Sequence, residues 1–228
     1  MVYRKKASLV LAYKPDIVVI PECEHPDRLK FETGIRLPED VIWFGNNPNK
    51  GLGVFSYSDY RFQLCENHET GYRTIIPLIV RNKRSQFNLF AIWANNPQDK
   101  GFQYVGQVWK AIKHYSDLLK NKKTILAGDF NSNTIWDLPK REGNHSKVVE
   151  VLAKKGIHST YHEFYKQTQG KEKHNTLFMY RHKDKPYHID YCFASEDFIK
   201  KLSHVEIGRH GKWCKHSDHT PLIVTFND

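Results

Sequence analysis

The chain has 228 residues, 39% of them hydrophobic and five of them Trp, so it can bury the core of one large α/β domain or of two small ones. Lys and Arg total 35 against 25 Asp and Glu, and the formal net charge of +10 favours a polyanionic partner such as nucleic acid. No apolar run is long enough to span a bilayer and no signal-like stretch is visible near the N-terminus, which argues against an integral membrane protein.

The domain organisation is predicted to be simple. No Pro-rich or Gly/Ser-rich linker, internal repeat or low-complexity segment divides the chain, so one domain over residues 1–228 is expected. The four cysteines are scattered and lack the spacing of a metal site, which is typical of reduced thiols in a cytoplasmic protein. We therefore expect a cytoplasmic protein without disulfides.

Apolar periodicity predicts helices and strands that alternate along the chain. Residues 4–13 predict a helix that Pro15 ends, and residues 16–21 predict a buried strand that runs directly into Glu22. The further predicted strands are residues 41–44, 52–57, 72–80, 87–93, 124–127, 177–180, 188–194 and 222–226. The further predicted helices are residues 102–119 and 146–154.

The strand predicted at residues 124–127 ends in Gly128-Asp129-Phe130-Asn131. If the backbone stays extended, Asp129 and Asn131 point to the same side, because alternate side chains of a strand share a face. A carboxylate beside a carboxamide can orient a water molecule and hold a phosphoryl oxygen. The alternative interpretation is a strand end followed by an Asx turn, which Asp and Asn also favour.

Two later stretches carry further acidic and imidazole groups. Asp190 lies in the alternating segment that follows His188, and Asp218-His219 stands directly before the last strand. A carboxylate next to an imidazole suits a metal site or an acid/base pair, although an isolated Asp-His pair more often has a structural or surface role. Such groups recur at the ends of several apolar strands, and sheet edges are where α/β folds collect their sites, so these residues are candidates for one site.

Four short motifs together resemble those of a known superfamily. They are Pro21-Glu22, Gly128-Asp129-Phe130-Asn131, Ile189-Asp190-Tyr191 and Ser217-Asp218-His219. In this order they resemble the endonuclease/exonuclease/phosphatase superfamily, which includes exonuclease III and pancreatic-type deoxyribonuclease, over about residues 9–226. The resemblance implies an α/β fold of the DNase I type, a four-layered α-β-β-α sandwich in which two mixed sheets pack face to face. It also implies that the motif residues cluster at one end of that sandwich.

The resemblance implies a divalent-metal site. Glu22 would be the main ligand of the cation, and Asp218 would assist directly or through a water molecule. Oxygen ligands of this kind favour Mg²⁺ or Mn²⁺ over Zn²⁺.

The resemblance also implies the catalytic roles. Asp129 would orient or deprotonate the attacking water, and Asn131 would steady that water and a phosphate oxygen. His219 would contact the scissile phosphate, and Asp190 would hold its imidazole. A hydrogen bond from His219 to Asp190 would raise the pKa of the imidazole and keep it charged near neutral pH.

Two features depart from the superfamily pattern. Related sequences carry a first strand with an Asn before the helix predicted at residues 4–13, and this chain starts where that strand should already have ended. We therefore expect the first strand to be missing. Trp93 stands where family members often place a Tyr or His as a donor to phosphate. Trp93 and Asn95 are therefore candidate substrate contacts, with a core position as the alternative for Trp93.

These features predict a divalent-metal-dependent phosphodiesterase that hydrolyses nucleic acid, as a DNase-like endonuclease or exonuclease acting on DNA. An alternative of the same fold is a phosphatase or phospholipase-type hydrolase of inositol phosphates or lipid head groups. An alternative from another class is a nucleic-acid-binding protein with weak catalysis. The sequence implies no membrane and no protein partner, and we expect a monomer. His158, His162 and His174 lack ligand spacing and are predicted to be surface or capping groups.

Overall fold

The computed structural model describes residues 3–66, 68–72, 74–96, 102–120 and 123–227. The chain divides into two compact units, Met1–Trp93 and Ala94–Asp228. Among the described residues, no helix has the length and apolar character needed to cross a membrane. All four cysteines are buried free thiols, as the sequence predicted.

The described part of the first unit contains one short α-helix and six strands. They are α1 (Ala7–Leu11), β1 (Ile17–Cys23), β2 (Asp40–Asn47), β3 (Lys50–Ser56), β4 (Arg61–Leu64), β5 (Ile75–Arg81) and β6 (Gln86–Trp93). β3 lies between β1 and β2 in an antiparallel sheet, and β5 pairs antiparallel with both β4 and β6. β6 also lies against β1 and β3, which explains why its residues are buried almost continuously rather than in alternation.

One buried cluster of the first unit is built around Tyr3. Its ring packs against Phe55, and its hydroxyl lies 2.8 Å from that of Tyr57, so both buried hydroxyls have a partner. Val10 and Leu11 of α1 pack against the same cluster. The apolar face that predicted this helix is therefore the face that α1 buries.

β2 and β3 approach closely at Gly51. A Cβ atom at this position would lie 2.3 Å from Cζ2 of Trp43, which no side chain can occupy. The indole is held in place by a 3.1 Å hydrogen bond from its Nε1 to the carbonyl of Cys23. Glycine is required here because the indole of Trp43 takes the space of a side chain.

The described part of the second unit contains five helices and seven strands. They are α2 (Val105–His114), β7 (Thr124–Asp129), α3 (His145–Ala153), β8 (Ile157–Ser159), α4 (Thr160–Tyr165), β9 (Leu177–Phe178), β10 (Pro186–Tyr187), β11 (Asp190–Ser195), α5 (Glu196–Ile199), β12 (Leu202–Ile207), α6 (His210–Trp213) and β13 (Leu222–Phe226). β11 lies between β7 and β8, and all pairs formed by these three strands are antiparallel. β9 pairs with β10, and β12 pairs with β13. Tyr161 of α4 packs against Val205 and Ile207 of β12.

The predicted elements are mostly confirmed, with shifted ends. The last predicted strand, residues 222–226, matches β13 at both ends, whereas the helix predicted at residues 102–119 shortens to α2. The second half of the strand predicted at residues 177–180 is wrong, because Met179–Arg181 forms a 3₁₀ turn. β4, β8, β10, β12, α4, α5 and α6 were not predicted; each spans six residues or fewer. The structure confirms an α/β fold with several sheets; the four-layered stacking stays a prediction.

Candidate active site

Asp129 is the last residue of β7, and the chain turns sharply after it. Its Oδ1 accepts a 2.7 Å hydrogen bond from the backbone N–H of Asn131, which is an Asx turn. Asn131 has a φ of +48°, so the extended backbone considered for this stretch is wrong and the Asx turn is correct. The two side chains still meet, because Asn131 Nδ2 lies 3.3 Å from Asp129 Oδ2. The turn therefore achieves the juxtaposition that a strand was expected to provide.

The turn is tied to the start of the second unit through Ala94. The backbone N–H of Ala94 donates to the carbonyl of Asp129 at 2.8 Å, and its carbonyl accepts from Asn131 Nδ2 at 3.2 Å. Asn131 thus binds Asp129 and Ala94 at once, which fixes the position of its amide. Asn95, a predicted substrate contact, follows directly, and both its carbonyl and its Oδ1 accept from Gln107 Nε2.

The register of β7 and β11 places Asp190 directly opposite Asp129. Two carboxylates on adjacent strands repel each other unless a positive group lies between or beside them. The backbone N–H groups of Ile189 and Asp190 both donate to Thr176 Oγ1 at 3.0 Å, which holds the start of β11 in place. The positive group beside the two carboxylates is an imidazole from a distant part of the chain.

That imidazole belongs to His219, whose Nδ1 lies 2.9 Å from Asp190 Oδ2. The backbone N–H of His219 donates to Ser217 Oγ at 3.0 Å, and the residue forms an isolated antiparallel bridge with Leu177. Burial by itself disfavours the imidazolium, but the charge of Asp190, its hydrogen bond and the charges of Asp129 and Asp218 raise the pKa of His219 to about 10. His219 is therefore charged at neutral pH, as the resemblance to the superfamily implied.

We call Asp129, Asp190 and His219 the carboxylate–histidine cluster. One potential ligand atom from each residue lies within 4.8 Å of the others, a spacing compatible with a shared phosphate, whereas a cation bound by all three would require a neutral His219. Asp218 adds negative charge next to this cluster, and its carbonyl accepts a 2.8 Å hydrogen bond from the N–H of Phe178. Four of the predicted residues thus lie side by side, in the order Asn131, Asp129, Asp190 and His219, with Asp218 adjacent.

The other two predicted site residues, Glu22 and Trp93, lie in the first unit. Glu22 occupies the irregular part of β1 with a φ of +58°, and its Oε1 lies 2.8 Å from Lys50 Nζ. The same ammonium lies 5.4 Å from the centre of the Trp93 ring. Lys50 was missed by sequence reasoning, since a lysine in an Asn-rich turn carries no signal of its own. Trp93 is only 9% exposed, which agrees with the alternative of a core position.

A buried polar network anchors the segment that follows Asn131. Asn133 Nδ2 lies within hydrogen-bonding distance of the carbonyl of His188 (2.9 Å), the hydroxyl of Tyr191 (3.1 Å) and Oε2 of Glu172 (3.2 Å). Burial by itself would raise the pKa of Glu172, but hydrogen bonds, above all from His162, lower it to about 2. The network therefore holds a charged carboxylate in place.

The prediction that His162 is a surface or capping group is wrong. Its side chain is 10% exposed, with Nε2 3.0 Å from Glu172 Oε1 and Nδ1 2.8 Å from Ser159 Oγ. His145 was also missed: it is fully buried, its Nδ1 lies 2.8 Å from Ser132 Oγ, and burial lowers its pKa to about 4. The buried hydrogen bonds of His162 and His145 could not be predicted from sequence spacing, because they depend on how the chain folds around these residues.

Comparison with known proteins gives the class of the fold. No protein-family profile and no curated protein matches the sequence. Among solved structures, the chain is similar to an AP endonuclease from Archaeoglobus fulgidus (TM-score 0.70, 15% identity, 97% of this chain and 93% of that one). It is also similar to the endonuclease domain of TRAS1, a telomere-specific non-LTR retrotransposon (0.62, 14%, 98% and 91%). A third similar structure is the 3′ phosphatase NExo from Neisseria bound to a product DNA hairpin (0.63, 17%, 98% and 93%).

These similar structures share the fold of the endonuclease/exonuclease/phosphatase proteins. The chain therefore has the DNase I-like α/β fold that its four motifs implied. At these identities the similarity establishes the fold alone.

Proposed function

We propose that the protein is a divalent-metal-dependent phosphodiesterase that hydrolyses nucleic acid by in-line attack of a water molecule. The observation that carries the proposal is the carboxylate–histidine cluster joined to Asn131. It combines a carboxylate base, a charged donor and an amide in one place, which is what hydrolysis of a phosphate ester requires.

Each residue of the cluster has a defined task in this proposal. Asp129 orients the attacking water and accepts its proton, and the two hydrogen bonds from Asn131 hold the carboxylate in one orientation. His219 donates to a phosphate oxygen through Nε2, because its Nδ1 is engaged by Asp190. The imidazolium offsets the charge that develops on the phosphoryl oxygens.

Glu22 and Asp218 are proposed as the ligands of the divalent cation, as the resemblance implies. Both offer carboxylate oxygens, a donor type that fits Mg²⁺ or Mn²⁺. When bound, the cation would neutralise charge on the phosphate. Glu22 Oε1 lies 2.8 Å from the ammonium of Lys50, which a cation bound at this oxygen would displace.

The role of Glu22 can be tested by Glu22→Gln. We expect the Mg²⁺ concentration for half-maximal activity to rise about 10-fold or more, because a charged ligand is lost. The matched control is Glu39→Gln, which removes an exposed glutamate that pairs with Arg61 in the same unit. Activity across a Mg²⁺ titration, with direct Mg²⁺ binding by calorimetry, measures the effect. An equal response of both variants would remove Glu22 from the metal site.

Nucleic acid, and DNA in particular, is the proposed substrate. The net charge of +10 attracts a polyanion more strongly than a small phosphomonoester. The second candidate is a phosphatase, which is favoured by the similarity to a structure described as a 3′ phosphatase. The proposal takes the protein to be a monomer in the cytoplasm, a reducing compartment in keeping with its free thiols.

One substrate panel tests the function. Plasmid DNA, duplex DNA with an abasic site, RNA and phosphomonoesters are incubated with Mg²⁺, Mn²⁺ or EDTA, with Asp129→Asn as the control for contaminating nucleases. We expect metal-dependent cleavage of DNA that Asp129→Asn loses by about 10²-fold or more. Release of inorganic phosphate without cleavage of the DNA backbone would select the phosphatase. Salt-sensitive DNA binding without any cleavage would select a binding protein.

A further inference from the structure

A cavity of about 280 Å³ lies within the second unit, and Asn131 forms part of its wall. Its volume is close to the lower end of the range for ligand pockets, about 300 Å³. Tyr104, Trp136 and Arg141 are among the other lining residues. The cavity therefore borders a proposed catalytic residue but is formed by side chains that have no task in the proposed chemistry.

The aromatic part of the wall is unusually exposed. Trp136 is 44% exposed and Tyr104 is 37% exposed, and the neighbouring Ile135 and Leu138 are more than half exposed. The indole of Trp136 packs against Tyr187, with 5.0 Å between the ring centroids, and this contact restricts its orientation. An exposed aromatic ring that is fixed by a second ring is suited to stack on a flat ligand.

Tyr104 is held in a backbone conformation that non-glycine residues rarely adopt, with φ +52° and ψ −119°. Such a conformation is strained and persists only where the surrounding structure enforces it. Here the N–H of Tyr104 donates to the carbonyl of Asn95 at 2.8 Å, and Arg141 donates to the carbonyl of Gln103 at 2.7 Å. The two bonds fix the strained segment against the cavity and place a guanidinium in its wall.

We propose that this cavity binds the base of a nucleotide that flanks the scissile phosphate, with Trp136 and Tyr104 as stacking surfaces and Arg141 as the positive group facing the backbone. The ligand class follows from the combination of flat aromatic surfaces with a guanidinium, since a nucleotide has one planar ring and one anionic phosphate. The inference rests on the proposed function, because it is Asn131 that connects the cavity to the phosphate being cleaved.

The test removes the base and the stacking ring separately and together. Oligonucleotides carry phosphorothioate linkages at all positions but one, so that cleavage is confined, and an abasic spacer replaces one base at a time on either side of that bond. We expect the spacer at one flanking position to lower kcat/KM of the wild-type protein about 10- to 100-fold, the range for one base–aromatic stack. In Trp136→Ala the same spacer should change kcat/KM by less than about 2-fold, because the stacking ring is already absent. In Trp136→Phe the spacer should again lower kcat/KM by most of the wild-type factor.

The matched control is Phe164→Ala, which removes an aromatic ring as exposed as Tyr104 from α4, away from the cavity lining. It should keep the full dependence on the base. Equal base dependence in Trp136→Ala and Phe164→Ala, or faster cleavage next to the spacer in the wild type, would overturn the proposal.

A binding measurement separates this inference from the proposed function. Asp129→Asn, which should bind without cleaving, is titrated with oligonucleotides that carry 2-aminopurine at each flanking position. If binding quenches the 2-aminopurine fluorescence, and the double variant Asp129→Asn/Trp136→Ala no longer quenches it, base binding is supported even if the wild-type protein cleaves no DNA. Equal quenching of the 2-aminopurine fluorescence with and without Trp136 would contradict base binding in the cavity even if the nuclease activity is confirmed.

Discussion

The Asp190–His219 pair shows how one contact defines the properties of a residue. The two residues are 29 positions apart in sequence, and their 2.9 Å contact raises the imidazole pKa against the effect of burial. The opposite carboxylate, Asp129, contributes to the same shift and is itself held by Asn131. Charge, hydrogen bonding and orientation therefore depend on each other within a few side chains.

We expect Asp190→Asn to move the basic limb of the pH dependence of kcat/KM to lower pH. A group that must be protonated loses its function as pH rises through its pKa, so the wild-type limb should lie near pH 10, and loss of the Asp190 charge should lower it. A pH–rate profile measures the shift. Asp184→Asn, a change at an exposed carboxylate, is the control, and an unmoved limb in Asp190→Asn would contradict the role of His219.

The amide of Asn131 can be tested apart from its backbone, because its φ is +48°. Asn131→Gly removes the amide and tolerates this φ, whereas Asn131→Ala also adds strain of about 1 kcal/mol. We expect both variants to lose about 10²-fold or more in kcat. Both should also lose the stability that the hydrogen bonds of the amide contribute, and the alanine variant should lose more because of its added strain. Steady-state kinetics and urea unfolding separate the two effects. Turnover like that of the wild type in Asn131→Gly would remove this residue from the catalytic set.

At the scale of elements, the pairing of strands decides where the side chains of the site stand. The register of β7 with β11 sets Asp129 opposite Asp190, and the bulge in β1 gives Glu22 its unusual backbone. A shift of one residue in the β7–β11 register would send Asp190 to the opposite face of the sheet. The contact between Trp43 of β2 and Gly51 of β3 also depends on strand register, since it requires these two residues to lie next to each other.

We expect Gly51→Ala to destabilise the protein by about 1–3 kcal/mol, because the added Cβ would collide with the indole of Trp43. The matched control is Gly211→Ala in α6, where no heavy atom lies within 4 Å of the added Cβ. That change should be neutral or stabilising by up to about 1 kcal/mol. Midpoints of urea unfolding compare the two, and equal stabilities would contradict the proposed close approach.

At the scale of the whole molecule, buried ionisable groups should set how folding stability depends on pH. Burial lowers the pKa of His145 to about 4, and hydrogen bonds lower that of Glu172 to about 2 despite burial. The pKa of His219 is raised to about 10. Groups with lowered pKa contribute stability that is lost as pH falls, and a group with a raised pKa contributes stability that is lost as pH rises, so stability should be greatest near neutral pH.

For His145 the expected window lies between its unfolded pKa of about 6.5 and its folded value of about 4. Stability should fall across this window by up to about 3 kcal/mol from this residue alone, since the unfolded chain binds the proton first. Urea unfolding in EDTA at several pH values measures the slope. His145→Asn, which offers a polar atom to Ser132 without titrating, should flatten it; an unchanged slope would show that other groups control acid unfolding.

Much of the candidate site could be predicted because its motifs are local. Apolar strands that run into Glu22 and Asp129, and an alternating strand that contains Asp190, are visible in the sequence. The Asx turn at Asp129 was one of two interpretations that its composition allowed. Lys50, Asn133 and the Glu172–His162 pair were missed, because each acquires its role from partners distant in sequence. Short elements such as β4 and α6, with four residues each, were missed because so short a segment gives only a weak periodic pattern.

The sequence by itself determined which chemical groups stand at the ends of strands, because strand and turn preferences act over a few neighbouring residues. Only the tertiary structure decided that Asp190 faces Asp129, that His219 is charged, and that Trp136 and Tyr104 line a cavity beside Asn131. These features depend on strand register, on burial and on distances between remote segments. They are properties of the folded chain, and no local pattern encodes them.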